Sequence, residues 1–176
     1  MGNQIWTGLF FLLFSLMAGT AQAQTCKPES IPASTPNSQL QDNGDGTITD
    51  TKTGLIWKRC LEGQSGSDCA SGSAEAFTWQ QALQRAQTVN SSGGFAGASD
   101  WRLPTIKELS SLVEHQCVDP AINLTRFPNA SNHWLWSSSA EAGGTVRAWV
   151  VNFNYGYTYL NYENGDYRLR LVRSGQ

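Results

Sequence analysis

A chain of 176 residues has the length of one domain and can bury a substantial apolar core without a structural metal. Only 15% of its residues are charged, 17 are glycine, and the formal net charge is -2. This composition argues against a coiled coil and a charge-driven disordered tail, and the lack of a basic excess argues against nucleic-acid binding.

Residues 1–23 are predicted to be a secretory signal peptide. They carry no charged side chain, contain an apolar run over residues 9–17 and end in Ala21-Gln22-Ala23, the small-x-small pattern that signal peptidase recognises. The apolar run is shorter than the ~20 residues that a membrane-spanning helix needs. We therefore expect an exported protein, periplasmic or secreted, with no membrane span after cleavage.

The four cysteines all follow this segment, and an even number in an oxidising compartment favours two disulfides. Three pairings are possible. Cys60 and Cys69 flank a polar loop rich in glycine and serine, which favours pairing them with each other and leaves Cys26 to pair with Cys117. No cysteine or histidine has the close spacing of a zinc site, so we expect no metal and no cofactor.

The folded domain is predicted over residues 41–174, after an extended lead-in at residues 24–40 that holds three of the six prolines. Residues 47–50 and 55–58 are predicted to be two strands joined by a tight turn. The run of aspartate and glycine at residues 42–46 lacks the ligand spacing of a calcium loop, so we interpret it as turn sequence.

Two amphipathic helices are predicted from their capping boxes. Thr78 is followed three residues later by Gln81, and Thr105 is followed at the same distance by Glu108. An apolar stripe at helical spacing continues after each box, which is typical of a helix packed on a sheet. The stripes are Trp79, Ala82, Leu83, Ala86 and Val89 in the first helix, and Ile106, Leu109, Leu112 and Val113 in the second.

The last third of the chain is predicted to form strands at residues 147–153, 154–160 and 167–173, because apolar and polar side chains alternate there. Strands therefore precede and follow the two helices. This order indicates an α+β fold with an antiparallel sheet. Four tryptophans are interpreted as core residues because of the apolar area that each buries. They are Trp57, Trp101, Trp136 and Trp149.

Several ordered motifs over residues 42–173 are similar to those of one known family. They are Asp45-Gly46-Thr47-Ile48-Thr49-Asp50, Thr53-Gly54-Leu55-Ile56-Trp57, Asp100-Trp101-Arg102-Leu103-Pro104-Thr105-x-x-Glu108-Leu109, Trp136-Ser137-Ser138-Ser139 and Leu171-Val172-Arg173. Together they resemble the Lcl C-terminal domain family of exported bacterial proteins. Its name comes from the terminal domain of a collagen-like adhesin that binds sulfated glycosaminoglycans and fucose-rich polysaccharide.

This resemblance implies a C-type-lectin-like fold, distantly similar to that of the formylglycine-generating enzyme superfamily. Two functions known on such folds are not implied for this chain. Pro128-Asn129 is preceded by Phe127, whereas the calcium-dependent sugar sites of C-type lectins have Glu or Gln at that place. The oxidases use a reactive thiol pair near the C-terminus, and the last cysteine here is Cys117.

The predicted binding residues are an aromatic and basic set near the C-terminus. Tyrosine rings can stack on the C–H faces of sugars, and the forked guanidinium of arginine suits sulfate or carboxylate. An alternative is that these side chains merely stabilise the sheet by cross-strand pairing. The set is Arg147, Tyr155, Tyr157, Tyr159, Arg168 and Arg170, of which the three tyrosines alternate along one face of the predicted strand.

The function expected from these observations is that of a non-enzymatic exported module that binds polysaccharide or a glycosaminoglycan-like sulfated glycan in bacterial adhesion or biofilm. The alternative is a protein–protein interaction or assembly component of the cell envelope. A hydrolase is a third hypothesis, with a serine of Ser137-Ser138-Ser139 beside His133. It is weak because serine runs are ordinary turn sequence and no Gly-x-Ser-x-Gly elbow is present.

Overall fold

The structure of the protein is a computed structural model that describes residues 24–130, 133–144 and 146–175, so the predicted signal peptide lies outside the described residues. These residues form an α+β fold whose strands are mostly paired antiparallel. In chain order the elements are β1 Thr25–Cys26, β2 Leu40–Asp42, β3 Thr47–Asp50, β4 Leu55–Lys58, β5 Gln64–Ser65, β6 Ser71–Gly72, α1 Trp79–Ser91, α2 Ile106–Ser110, β7 Cys117–Val118, β8 Trp134–Ala140, β9 Arg147–Asn152, β10 Tyr157–Tyr162 and β11 Val172–Ser174.

Two antiparallel sheets form the body of the domain. One has the strand order β11-β4-β3-β2 and the other has the order β10-β9-β8, while β1 pairs with β7 and β5 pairs with β6. Within the described part of the chain, neither helix is long and apolar enough to span a membrane.

The first hairpin of the domain agrees with its sequence. In β3 and β4, Ile48 lies opposite Trp57, and both side chains are fully buried. The preceding run of aspartate and glycine forms the predicted turn, because a carboxylate oxygen of Asp45 accepts hydrogen bonds from both the backbone N–H and the hydroxyl of Thr47.

Both predicted capping boxes are present, but they begin helices of very different length. α1 has 13 residues and buries Ala82 and Ala86. α2 has only five residues, so the predicted stripe residues Leu112 and Val113 lie beyond its end, although both are buried. A helix this short cannot persist alone, and its first turn depends on tertiary contacts.

Glu108 supplies the main contact that holds α2. Its carboxylate closes the capping box at Thr105 and accepts two hydrogen bonds, at 2.8 and 2.7 Å, from the guanidinium of Arg102. These side-chain hydrogen bonds from Arg102 lower the pKa of Glu108 to about 2. The short helix is thus fixed to the strand-like segment that precedes it.

The core consists of two apolar clusters, one on each side of the β10-β9-β8 sheet. Leu109 of α2 belongs to the first cluster, and α1 contributes its buried alanines to the second. Trp57, Trp101 and Trp136 are buried as predicted, whereas Trp149 is only half-buried. The first cluster includes Leu40, Ile48, Trp57, Leu112, Phe127, Leu135, Val151 and Phe153, and the second includes Trp101, Leu103, Trp136, Ala148, Val150, Leu169 and Leu171.

Two interpretations of the sequence are corrected by the structure. Ser137-Ser138-Ser139 is not a turn, because these residues lie within β8, where Ser137 is fully buried. Residues 167–173 were predicted as one strand, but only Val172–Ser174 pairs as β11. The serines fit a strand because their hydroxyls bond to neighbouring backbone groups, and residues 167–171 leave the ladder because they run between the two sheets.

Both disulfides predicted from the sequence are present, Cys26 with Cys117 and Cys60 with Cys69.

The N-terminal lead-in is attached to the body through Cys26–Cys117 and through Glu114. Beside the first disulfide, the buried carboxylate of Glu114 accepts hydrogen bonds from the backbone N–H groups and the hydroxyls of Ser34 and Thr35, and from the N–H of Gln116. Burial alone would raise the pKa of Glu114, but these hydrogen bonds hold it below its ordinary value.

We expect Glu114→Gln to lower the free energy of unfolding by about 1–3 kcal/mol at neutral pH, because an amide cannot accept all these hydrogen bonds. A depressed carboxyl pKa stabilises the fold above the ordinary value of 4.5, and this contribution is lost as the pH falls through the folded-state pKa. The difference between variant and wild type, measured by urea unfolding, should therefore shrink in acid. Glu29→Gln, at an exposed position of the same segment, is the control and should change little; a constant difference at all pH values would contradict this assignment.

We expect the two disulfides to contribute unequally to stability. Cys26 and Cys117 are 91 residues apart in sequence, whereas Cys60 and Cys69 are 9 apart. In the chain-entropy account, the longer loop stabilises the fold by about 4–5 kcal/mol and the shorter one by about 2–3 kcal/mol. Denaturant unfolding of the two double-serine variants should give the larger loss for Cys26→Ser with Cys117→Ser, and equal losses would count against this account.

Candidate functional site

One face of the β10-β9-β8 sheet carries a row of aromatic side chains. Trp134 of β8 and Tyr157 of β10 both lie opposite Asn152 of β9. Two residues further along β10, Tyr159 lies opposite Val150, whose side chain belongs to the second apolar cluster. Since directly paired residues project from the same face of a sheet, these aromatic side chains share the face that α1 covers in part.

Helix α1 covers only one end of this face. Trp136, two residues after Trp134 in β8, is fully buried in the same cluster as Ala82 and Ala86 of α1. Trp134 lies at the margin of this cluster and is half-buried. The tyrosines of β10 extend beyond the helix into solvent.

The rings contact one another in a connected group. Trp134 meets Tyr157 and Tyr159 edge to face, with ring centroids 5.7 and 6.0 Å apart, and it also contacts Tyr167 at 6.0 Å. Tyr155 and Tyr157 have nearly parallel rings, inclined by 7° with centroids 6.4 Å apart. We call Trp134, Tyr155, Tyr157, Tyr159 and Tyr167 the aromatic face.

The turn between β9 and β10 positions Tyr155, which lies before the strand rather than in it as predicted. Gly156 has φ +81°, and a Cβ at this position would lie 2.5 Å from a methyl carbon of Val113, so the turn requires glycine. The side chain of Asn152 accepts a hydrogen bond from the N–H of Tyr155 and donates one to the hydroxyl of Tyr157. The two parallel rings are therefore held by the backbone geometry and by one amide.

The three predicted tyrosines are exposed as well as ordered. Tyr155, Tyr157 and Tyr159 expose 58%, 45% and 55% of their surface. Cross-strand pairing alone would account for the contacts with Trp134, but it leaves the outer surfaces of the rings unused. Tyrosine is well suited to binding because it presents a large, amphipathic surface with few rotatable bonds to immobilise.

Arg147 lies on the opposite face from these tyrosines. It is paired with Tyr162, which lies five positions after Tyr157 and three after Tyr159 along β10. Positions that differ by an odd number project from opposite faces of a strand. Its guanidinium makes two hydrogen bonds, at 2.9 and 2.7 Å, with the carboxylate of Glu141. The structure therefore does not join Arg147 to the aromatic face.

The prediction that Arg170 is a surface ligand residue is wrong. Its side chain is 1% exposed, donates to the backbone carbonyls of Lys58, at 2.7 Å, and Arg59, and lies 4.6 Å from the ring centroid of Phe127. Desolvation lowers the pKa of Arg170 to about 9, so the buried guanidinium remains charged at neutral pH. The alternation predicted from the sequence is right, with Leu169 and Leu171 in the second cluster and Arg170 on the other side, but both sides are buried.

Arg168 is half-buried and projects away from the aromatic face. It forms a parallel bridge with Leu135 of β8, which places its side chain on the side of the first apolar cluster. It lies near His133, where burial and the charge of Arg168 together lower the pKa of the imidazole. Of the six predicted ligand residues, the structure thus brings together the three tyrosines and none of the arginines.

Sequence reasoning missed Trp134, the residue that contacts Tyr157, Tyr159 and Tyr167. A signal was present, since Trp134 and Trp136 have the period-two spacing of a strand face. The serine run that follows concealed it, because serines are more typical of turns than of buried strands.

The three serines considered as nucleophiles have structural contacts. The hydroxyl of Ser137 donates to the carbonyl of Trp149 at 2.7 Å, and that of Ser138 donates to the carbonyl of Pro104 at 3.2 Å. The hydroxyl of Ser139 accepts a hydrogen bond from the first N–H of α2. These contacts explain the serines without a catalytic role.

Other concave regions lie away from the aromatic face. A groove of about 570 Å³ runs between α1 and residues 101–108, but its charged side chains, Arg102 and Glu108, neutralise each other. A cavity of about 330 Å³ lies beside the Cys60–Cys69 disulfide, where the charges of Lys58 and Arg59 are paired with acids. Across residues 24–130, 133–144 and 146–175, no group of three or more His, Cys, Asp or Glu side chains is arranged to hold a metal ion.

We expect Arg170→Ala to lower the free energy of unfolding by roughly 2–4 kcal/mol, because it removes a buried side chain and leaves two backbone carbonyls without donors. Arg147→Ala, which breaks an exposed ion pair, should change it by less than about 0.5 kcal/mol. Guanidinium unfolding of the two variants tests the contrast. An unchanged midpoint for Arg170→Ala would contradict the buried role.

Comparison with known proteins places this architecture in a family. A search among curated proteins finds no match to the chain. The family model described as the Lcl C-terminal domain matches residues 46–173, a range that contains both helices and the whole aromatic face. Because this match extends over most of the chain, the protein belongs to the Lcl C-terminal domain family.

Proposed function

We propose that this protein is an exported, non-enzymatic module that binds polysaccharide through its aromatic face in bacterial adhesion. The observation that carries the proposal is the group of three exposed tyrosine rings, Tyr155, Tyr157 and Tyr159, packed around Trp134 at the uncovered end of a sheet. Export is supported by the two disulfides, which persist in oxidising compartments. Membership of the Lcl C-terminal domain family is compatible with such a role.

The physical basis is contact between sugar and aromatic surfaces. One face of a pyranose ring is lined with C–H groups, which are apolar and carry a slight positive charge. The π face of tyrosine is negative, so the two surfaces attract each other while releasing water from both. Tyr155 and Tyr157 offer parallel rings to such a flat partner, and their hydroxyls can bond to the sugar hydroxyls at the edges.

The rings need little reorganisation on binding. Trp134 contacts both Tyr157 and Tyr159, and Asn152 bonds to Tyr157, so the side chains are already ordered in the free protein. Pre-organisation saves the entropy that free side chains would lose. Each sugar contact is weak, and a polymer that offers many equivalent sites compensates through its effective concentration.

A protein partner is the second candidate, favoured by the edge position of β10. This strand ends its sheet and contains no charged residue between Tyr157 and Tyr162, so its outer backbone groups could pair with a strand of another cell-envelope protein. Exposed Tyr162 and Val146 would then contribute side-chain contacts.

We expect the double variant Tyr157→Ala with Tyr159→Ala to weaken retention on polysaccharide about tenfold or more, since each aromatic contact contributes about 0.5–1.5 kcal/mol. Affinity electrophoresis through gels containing soluble polysaccharides measures this effect. The matched control is Tyr162→Ala, which removes an exposed tyrosine from the other face of the same strand.

Tyr162→Ala should bind like the wild type, and circular dichroism should show that all variants remain folded. Equal retention of the double variant and the wild type would exclude the aromatic face as the binding surface. Capture of an envelope protein through β10, blocked by Thr158→Pro and without any polysaccharide retention, would replace the proposal by the second candidate.

A further inference from the structure

We infer that the aromatic face selects uncharged polysaccharides and does not bind sulfated ones. The inference rests on the proposed function and specifies its ligand class. It comes from the distribution of charge around the aromatic face, which differs from the distribution along the sequence.

The cations of the C-terminal segment do not reach this face. From residue 145 onward the sequence has four arginines against two acids, yet Arg147 lies on the opposite face in an ion pair and Arg170 is buried. Arg168 projects towards the first apolar cluster. The guanidinium of Arg173 lies 3.9 Å from the carboxylate of Asp100 and is directed towards the ring of Trp101.

Lys107 lies on the other side of the sheet, because it belongs to α2, which packs there through Leu109. No counter-ion for sulfate is therefore provided by any of these five basic side chains.

The charge at the margin of the aromatic face is negative. Asp166 is exposed and directly precedes Tyr167, whose ring is packed against Trp134. Burial, followed by the charge of the adjacent Asp166, raises the pKa of Tyr167. A sulfated chain would meet repulsion here without a compensating cation from the four C-terminal arginines or from Lys107.

The polar groups on the aromatic face suit hydroxyls. Asn161 follows Tyr159 at the period-two spacing of β10 and is paired with Ala148, so it projects from the same face. Its amide can both donate and accept, as can the tyrosine hydroxyls. Sugar hydroxyls have the same dual capacity, whereas sulfate oxygens only accept.

The energetic consequence distinguishes the two ligand classes. A sulfate brought against tyrosine rings loses water and gains no ion pair, which is unfavourable. An uncharged chain loses only apolar hydration at its C–H face and retains hydrogen bonds at its edges. Its affinity should also be insensitive to salt, since no counterions are released on binding.

The test compares matched polymers that differ in charge: hydroxyethylcellulose with carboxymethylcellulose, and dextran and glucomannan with dextran sulfate. Retention of the mature chain is measured by affinity electrophoresis from about 0.05 to about 0.5 M NaCl, a range over which polyanion complexes weaken strongly. We expect retention by at least one uncharged polymer, with less than about twofold change over this range, and loss of it in the Tyr157→Ala, Tyr159→Ala variant.

Asn161→Arg provides a gain-of-function arm. A guanidinium at this position supplies the missing cation, so the variant should acquire retention on the sulfated or carboxylated polymers that falls by more than about tenfold as salt increases. Tyr162→Arg, which places the same charge on the opposite face, is the matched control and should not acquire retention that depends on Tyr157 and Tyr159.

The possible outcomes distinguish failure of the selectivity for uncharged polymers from failure of polysaccharide binding itself. Retention of the wild type only by the anionic polymers, weakened by salt, overturns the selectivity and leaves polysaccharide binding standing. Retention by no polymer overturns the proposed function and this inference with it.

Discussion

Residues 169–171 are buried on both sides, Tyr167 and Arg168 before them are half-buried, and this segment lies between the two sheets. Leu169 and Leu171 fill the second apolar cluster, while Arg170 lies on the other side against Phe127. Their backbone carbonyls accept hydrogen bonds from Glu62 and Lys58, beside the end of β4. This extended segment thus contacts both sheets, which also share the first apolar cluster through Trp57 and Leu135.

The same segment fixes the strand that carries Trp134. The N–H of Arg168 donates to the carbonyl of Trp134 at 3.0 Å, and the N–H of Trp136 donates to the carbonyl of Arg168 at 2.9 Å. The charge of Arg170 is compatible with burial because backbone carbonyls and an aromatic ring surround it. The aromatic face therefore rests on a rigid support, which suits a surface that must bind without reorganising.

The sequence predicted what depends on local interactions. The capping boxes at Thr78 and Thr105, the turn before β3 and the two disulfides involve neighbouring residues or simple pairing, and all are present. The failures concern long-range context. The alternation of apolar and basic residues at 167–171 correctly placed the leucines and Arg170 on opposite sides of the segment. It could not show that residues at the end of β4 cover the side on which Arg170 lies. Likewise, the register between β9 and β10 decides that Arg147 and Tyr157 lie on opposite faces of the sheet. The turn between these strands sets this register, and its Gly156 packs closely against Val113, which is distant in sequence.

The central claim is that a polysaccharide contacts Trp134, Tyr155, Tyr157 and Tyr159, and the most direct measurement is chemical-shift mapping by NMR. Isotope-labelled protein comprising residues 24–176 would be titrated with a soluble oligosaccharide cut from a polymer that retains it. We expect shift changes confined to the indole N–H of Trp134 and to the backbone amides of residues 154–161, with saturation transfer from tyrosine ring protons to the sugar. Changes centred instead on the cavity beside the Cys60–Cys69 disulfide, or on the groove between α1 and residues 101–108, would contradict it.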